Sequence, residues 1–191
     1  MTYLHLTGAL ALTAVSSETP VSIPGVTLIA AILTFVLIFL LNFAKPGPYK
    51  YFLFALFSLV IGQLISPSVK SLEASGQLRE VLASVAGIFL AMTVVGFVDK
   101  QNFLGFGGYL IAALIGLIVA RLILIILKLG DPTSDLKKTS TLLNWVGTGL
   151  FAIFVAYDTQ VLKARRNSDY VDASLALFLD IINLFTLQSD S

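Results

Sequence analysis

The sequence predicts an all-α membrane protein, a polytopic bundle of about seven transmembrane helices in a single domain over 1–191. Three observations predict it. First, 57% of the 191 residues are hydrophobic and 12% are charged, about half the charged share of an ordinary soluble domain, which is roughly 25%. Second, the apolar residues come in long runs, and a helix needs about 20 of them to cross a hydrocarbon core about 30 Å thick. Third, two aspartates, Asp158 and Asp180, sit inside such runs. A carboxylate at membrane depth is costly, so it usually faces the bundle interior, finds a partner and marks an ion or proton path.

Seven runs are candidate spans: 3–17, 23–43, 49–66, 79–97, 103–127, 142–162 and 170–187. The first is the shortest and has the apolarity of a signal peptide. A signal peptide also has a charged leading region, and no Lys or Arg precedes Lys45, so a retained helix is expected. Pro20 and Pro24 separate it from the second run, and Pro46-Gly47-Pro48 separates the second from the third. Pro67 is expected to end the third, because proline punctuates helices. The fourth run stops before Asp99-Lys100-Gln101-Asn102, and the fifth stops before Asp131-Pro132. The last two are joined by a short basic turn, Lys163-Ala164-Arg165-Arg166-Asn167.

Orientation is weakly encoded. Loops on the N-terminal side hold Lys45, Lys50, Lys100, Lys163, Arg165 and Arg166; those on the other side hold Lys70, Arg79, Lys128, Lys137 and Lys138. The first group lies in shorter loops, which favours a cytoplasmic N-terminus. Seven full spans would put the C-terminus outside, and a re-entrant last span would return it to the cytoplasm. The net charge of +1 offers no footprint for nucleic acid. Cysteine is absent and His5 is the single histidine, so disulfides, thiolate metal sites and multi-histidine sites are excluded. No permanently bound cofactor is expected. His5, Trp145 and the tyrosines fit the membrane interface or helix packing.

The two aspartates are plausible partners. With Asn167 as the middle of the last hairpin, Asp158 lies nine residues before it and Asp180 thirteen after. At about 1.5 Å per residue the depths differ by only about 6 Å. Faces agree as well, since residues at i, i+3, i+4 and i+7 align on a helix. Ala173, Ala176, Asp180 and Asn183 form one stripe; Gly147, Phe151, Phe154 and Asp158 form the other. Small residues let membrane helices approach closely. Two adjacent carboxylates in a medium of low dielectric resist ionising together, and their titration belongs to the pair. A shared proton would hold the helices together. Its loss, or a hard cation such as Ca²⁺ between the oxygens, would change their spacing. The competing reading is that each aspartate is structural, satisfied by a neighbouring backbone or hydroxyl group.

These residues carry a family resemblance. Tyr157-Asp158-Thr159-Gln160, followed by the segment from Asp169 to Phe185, resembles the transmembrane Bax inhibitor motif family, which includes the Bax inhibitor and Lifeguard proteins. Phe57 to Pro67, with Gly62 five positions before Pro67, is similar to that family's third helix. The Gly-rich Phe103-Leu104-Gly105-Phe106-Gly107-Gly108 is similar to the start of its fifth. The resemblance implies seven spans around a central C-terminal helix and a pH-sensitive Ca²⁺ leak, with Asp158 and Asp180 as the paired aspartates. It implies the endoplasmic reticulum or Golgi for a eukaryotic or viral protein, and the inner membrane for a bacterial one. Links of the family to cell death and to membrane-protease regulation imply membrane protein partners. Some members pair a basic residue of the second helix with the aspartates; no Lys or Arg lies between Ile23 and Phe43 here. The chain ends soon after the last run, without the charged tail of some eukaryotic relatives.

Other polar residues have two readings. Arg121 either snorkels to the interface or serves as counter-ion to the pair. Asn183 either lines the ion path or bonds a neighbouring helix. Asp172 is expected to cap the last helix through its dipole. The function expected is a Ca²⁺-permeable, pH-sensing leak that moves Ca²⁺ and responds to protons; a proton/Ca²⁺ exchanger would use the same acidic site. A non-catalytic regulator acting through membrane protein partners is the alternative. Enzymatic activity is not expected: intramembrane aspartyl proteases use a Gly-x-Gly-Asp motif, whereas Phe178 and Leu179 precede Asp180.

Overall fold

The computed structural model describes residues 1–19, 26–98, 103–133, 135–164 and 169–190. All seven expected runs are helical: α1 (Thr2–Glu18), α2 (Val26–Phe43), α3 (Pro48–Ser75), α4 (Leu78–Val98), α5 (Gly107–Gly130), α6 (Lys137–Ala164) and α7 (Tyr170–Ser189). A 3₁₀ turn, Phe103–Phe106, leads into α5. Among the described residues there is no strand. Among the described residues five helices are long and apolar enough to cross a membrane, namely α3, α4, α5 with its leading turn, α6 and α7. The shorter α1 and α2, of 17 and 18 residues, extend about 26 Å each. The expected punctuation at Pro20, Pro24, Asp99 to Asn102 and Arg165 to Asn167 falls outside the described residues, along with Lys100.

The apolar surface points outward. Along α5, Ile111, Ile115, Ile118, Leu122 and Ile126 are each at least half exposed, and Leu28, Ile32, Phe35 and Phe39 do the same on α2. A soluble domain rarely exposes a contiguous apolar patch beyond a few hundred Å². Hydrocarbon is the solvent that suits these faces, and the chain is an integral membrane protein.

Contacts divide the chain into two units, 1–79 with 165–179, and 80–164 with 180–191. In the first, α1 lies against α3 along a seam of hydroxyls. Thr13 donates to the Ser58 carbonyl at 2.9 Å, Ser16 to Leu59 at 2.7 Å and Ser66 to Ser17 at 2.8 Å. Gln63 returns a bond to the Ser16 carbonyl at 2.7 Å. Gly62 makes this approach feasible, since a Cβ there would stand 2.5 Å from the Thr13 oxygen and 2.6 Å from Ser16 Cβ. Pro67 does not end α3 as expected. In membranes a proline inside a helix is tolerated when neighbouring groups satisfy the freed backbone, and polar side chains crowd this stretch. The helix stops instead at Gly76, whose φ of 73° gives the left-handed cap. Gln77 N–H then reaches the Leu72 carbonyl at 2.9 Å, the six-to-one closure of a Schellman motif. Further along, Phe178 of α7 meets Phe54 and Phe57 edge-on, each with centroids 5.9 Å apart.

In the second unit glycines again set the close approaches. A Cβ on Gly96 of α4 would be 2.6 Å from the Ala156 oxygen and 2.7 Å from Thr159 Cβ of α6. One on Gly147 of α6 would be 2.9 Å from Leu187 of α7. Phe103 N–H donates to Gln160 Oε1 at 2.8 Å, and Lys163 Nζ to the Phe97 carbonyl at 2.8 Å. The last helix is the most buried of the five long spans, with half of its apolar window covered against about a tenth for α4 and α5.

Candidate functional site

Gly147 facing Leu187 and Asp158 facing Asp180 mean that α6 and the C-terminal half of α7 run antiparallel. The small residue predicted on the α6 stripe is therefore the one that admits α7. The turn between the helices, 165–168, lies outside the described residues, so the placement of Asn167 is not part of this geometry.

The Asp158 and Asp180 side chains are electrostatic neighbours, within hydrogen-bonding reach of each other. An ionised carboxylate only accepts, so two carboxyl groups can bond directly only when one carries a proton. The pair is asymmetric. Asp180 is 4% exposed, whereas Asp158 is half-buried. Asp180 Oδ2 is buried with no hydrogen-bond partner, leaving an oxygen able to accept a proton or bind a cation. Among the described residues no group of three His, Cys, Asp or Glu forms. Ca²⁺ takes six to eight oxygens, so two carboxyls suit a passing, largely hydrated ion better than a resident one. Thr159, fully buried beside Asp158, also has an unpartnered hydroxyl.

Asn183 stands one turn beyond Asp180 and is half-buried. Arg121 is elsewhere. Its Nη2 donates to Asn144 Oδ1, and its Nη1 lies 3.9 Å from Asp190. Asn144 precedes Asp158 on α6 by fourteen residues, about 21 Å along the axis. The counter-ion role weighed for Arg121 is corrected by that distance: spacing along α5 gave no information on which end of α6 it would meet.

Lys50 has a role that loop-charge arithmetic missed. It is 2% exposed, and its Nζ lies 2.6 Å from both Asp169 Oδ2 and Asp172 Oδ1. It occupies the first turn of α3, where a cation opposes the helix dipole, so the two carboxylates offset a double penalty of burial and dipole. Asp169 also caps α7, accepting the Val171 N–H at 2.9 Å. The cap expected at Asp172 is thus shared, with Asp169 bonding the amide and Asp172 bonding the lysine. The i, i+3 spacing of these aspartates at a helix start was the available signal.

Residues 1–187 match the family model described as inhibitor of apoptosis-promoting Bax1. The inner membrane protein YbhL of Escherichia coli K12 is 31% identical over 146 residues, covering 71% of this chain and 59% of that protein. The BI1-like protein of Arabidopsis thaliana is 31% identical over 166 residues, 85% of this chain and 62% of its own length. Bax inhibitor 1 of Schizosaccharomyces pombe is 29% identical over 144 residues, with 74% and 52% covered. The chain thus spans a little over half the length of the curated relatives it matches.

Proposed function

The chain belongs to the Bax inhibitor family, and on that footing we propose that it forms a pH-sensitive Ca²⁺ leak whose proton sensor is the Asp158–Asp180 pair. The observation that carries this reading is the juxtaposition of two carboxyl groups on the apolar helices α6 and α7. With one proton shared between them, the two carboxyls tie α6 to the C-terminal half of α7. Without it, two negative charges face each other where water is scarce, and they separate or take up a cation. Asp180 Oδ2 offers the free oxygen, and Asp158, the more exposed member, takes the proton from solvent. Asn183 can supply a further oxygen one turn along. Ca²⁺ is cargo in this scheme; the same pair would serve a proton/Ca²⁺ exchanger. No chemical step is assigned to the protein.

Flux of Ca²⁺ into dye-loaded proteoliposomes across roughly pH 5 to 8, where perturbed carboxyls titrate, tests the reading. Wild type is expected to show a pH-dependent flux that Asp158→Asn and Asp180→Asn each abolish. An unchanged pH profile in both variants removes the pair from the mechanism. No flux above empty liposomes at any pH favours a regulator acting through membrane protein partners, with the pair as a structural clasp.

A further inference from the structure

The second unit holds a cavity of about 510 Å³ where α5 ends and α6 begins. Arg121 and Lys128 enter it from α5, and Lys137, Ser140 and Thr141 from α6. Two carboxylates reach it, against the three cations Arg121, Lys128 and Lys137. Asp135 accepts the Lys137 N–H at 3.3 Å as a helix cap, and Asp190 stands 3.9 Å from Arg121. Among the described residues Lys128 and Lys137 have no ion pair.

Donors outnumber acceptors here. Arg121 has five N–H groups, and the acceptor it bonds is a neutral amide, Asn144 Oδ1. Arg121 lies nine residues before Gly130, the end of α5, about 14 Å inward along the helix. A guanidinium at that level, beside outward-facing Leu122 and Ile125, has one carboxylate near it, Asp190 at 3.9 Å, which is beyond hydrogen-bond length. The N-terminus of α6, a 28-residue helix, adds its positive dipole end to the same space. Leu124 and Ile125 give the cavity an apolar wall.

We propose that this cavity binds a phosphate group, carried by a membrane lipid headgroup or present as the free ion. A tetrahedral oxyanion supplies several acceptors at once and suits an arginine fork, while the apolar wall accommodates the first carbons of an acyl chain. The inference is independent of the Ca²⁺ reading.

The test uses the full chain in vesicles and its single tryptophan, Trp145, which follows Asn144 and is 70% exposed. Brominated phosphatidylglycerol and brominated phosphatidylcholine are compared as quenchers at equal mole fraction. Wild type is expected to prefer the acidic lipid, and each of Lys128→Ala and Lys137→Ala to lower that preference about fivefold. Both lysines are exposed, and far-ultraviolet circular dichroism checks that the helices persist. Lys70→Ala, on α3, leaves the preference unchanged. Relief of quenching by millimolar inorganic phosphate supports the site and shows that the free ion competes. A preference that phosphate leaves intact supports it and assigns the site to lipid. Equal quenching by both lipids with no effect of phosphate, or a preference that survives loss of both lysines, overturns it. Native mass spectrometry of wild type gives a reading without variants: no retained phospholipid and no phosphate adduct also overturns it.

Discussion

Removing the Lys50 ammonium tests the charge cluster at the start of α7. Lys50 is held by two carboxylates at equal distance, 2.6 Å, yet they differ in exposure. The Asp169 side chain is 11% exposed and that of Asp172 is 56% exposed. Removing one member of a buried ion pair costs about 3–5 kcal/mol, because the other charge is left unpaired out of water. A well-exposed pair contributes about 0–1 kcal/mol, because water screens it. Lys50→Met is therefore expected to cost about 3 kcal/mol, nearly all of it from stranding Asp169. Asp169→Asn keeps a side-chain oxygen for the Val171 amide, loses the charge, and is expected to cost about 2 kcal/mol. Asp172→Asn should cost under about 1 kcal/mol. For a chain of this length the Lys50→Met loss corresponds to a fall in Tm of about 6–12 °C, read by circular dichroism in detergent. The triple variant that neutralises all three groups should recover most of the loss. Equal costs for Asp169→Asn and Asp172→Asn would refute the reasoning from exposure. A Lys50→Met melt within about 1 °C of wild type would refute the buried cluster itself.

Further outcomes follow from the same geometry. Gly62→Ala should cost about 1–3 kcal/mol by overpacking the α1–α3 seam, since its Cβ would meet the Thr13 carbonyl at 2.5 Å. Gly87→Ala, with nothing within 4 Å of the added carbon, should instead stabilise α4 by about 0.5–1 kcal/mol; melts of opposite sign check both. Arg121→Met should cost about 1–3 kcal/mol by leaving the buried Asn144 amide unpaired, and Arg121→Met/Asn144→Leu should recover part of it. The Asp131 carboxyl is held below its ordinary value by the Thr133 hydroxyl and by the Thr133 amide. Its turn is therefore fully stabilised above the ordinary value and loosens as pH falls through the lowered one. Thr133→Ala should move the carboxyl up towards the ordinary value, as read by carbon-13 NMR titration.

Apolar run length was enough to locate the helices among the described residues, because membrane insertion depends on length and hydropathy, which are local properties. The nearness of Asp158 and Asp180 was legible for a related reason. Two antiparallel helices joined by a short turn leave little freedom in depth, and the periodicity of each helix picks out the shared face. Pro67 misled as a stop signal because local propensity yields when neighbouring groups satisfy the backbone. The partners of Arg121 and Lys50 could not be read from the chain at all. Asn144 lies 23 residues beyond Arg121, and Asp169 lies more than a hundred residues beyond Lys50. Long side chains reach whatever the packing of other helices brings near, and that packing is set by glycines and hydroxyls spread over the whole sequence. The amino-acid sequence determined that this chain spans a membrane and which two of its apolar helices carry an aspartate. Only the tertiary structure decided which charges are buried together, because burial and pairing depend on helices distant in the chain.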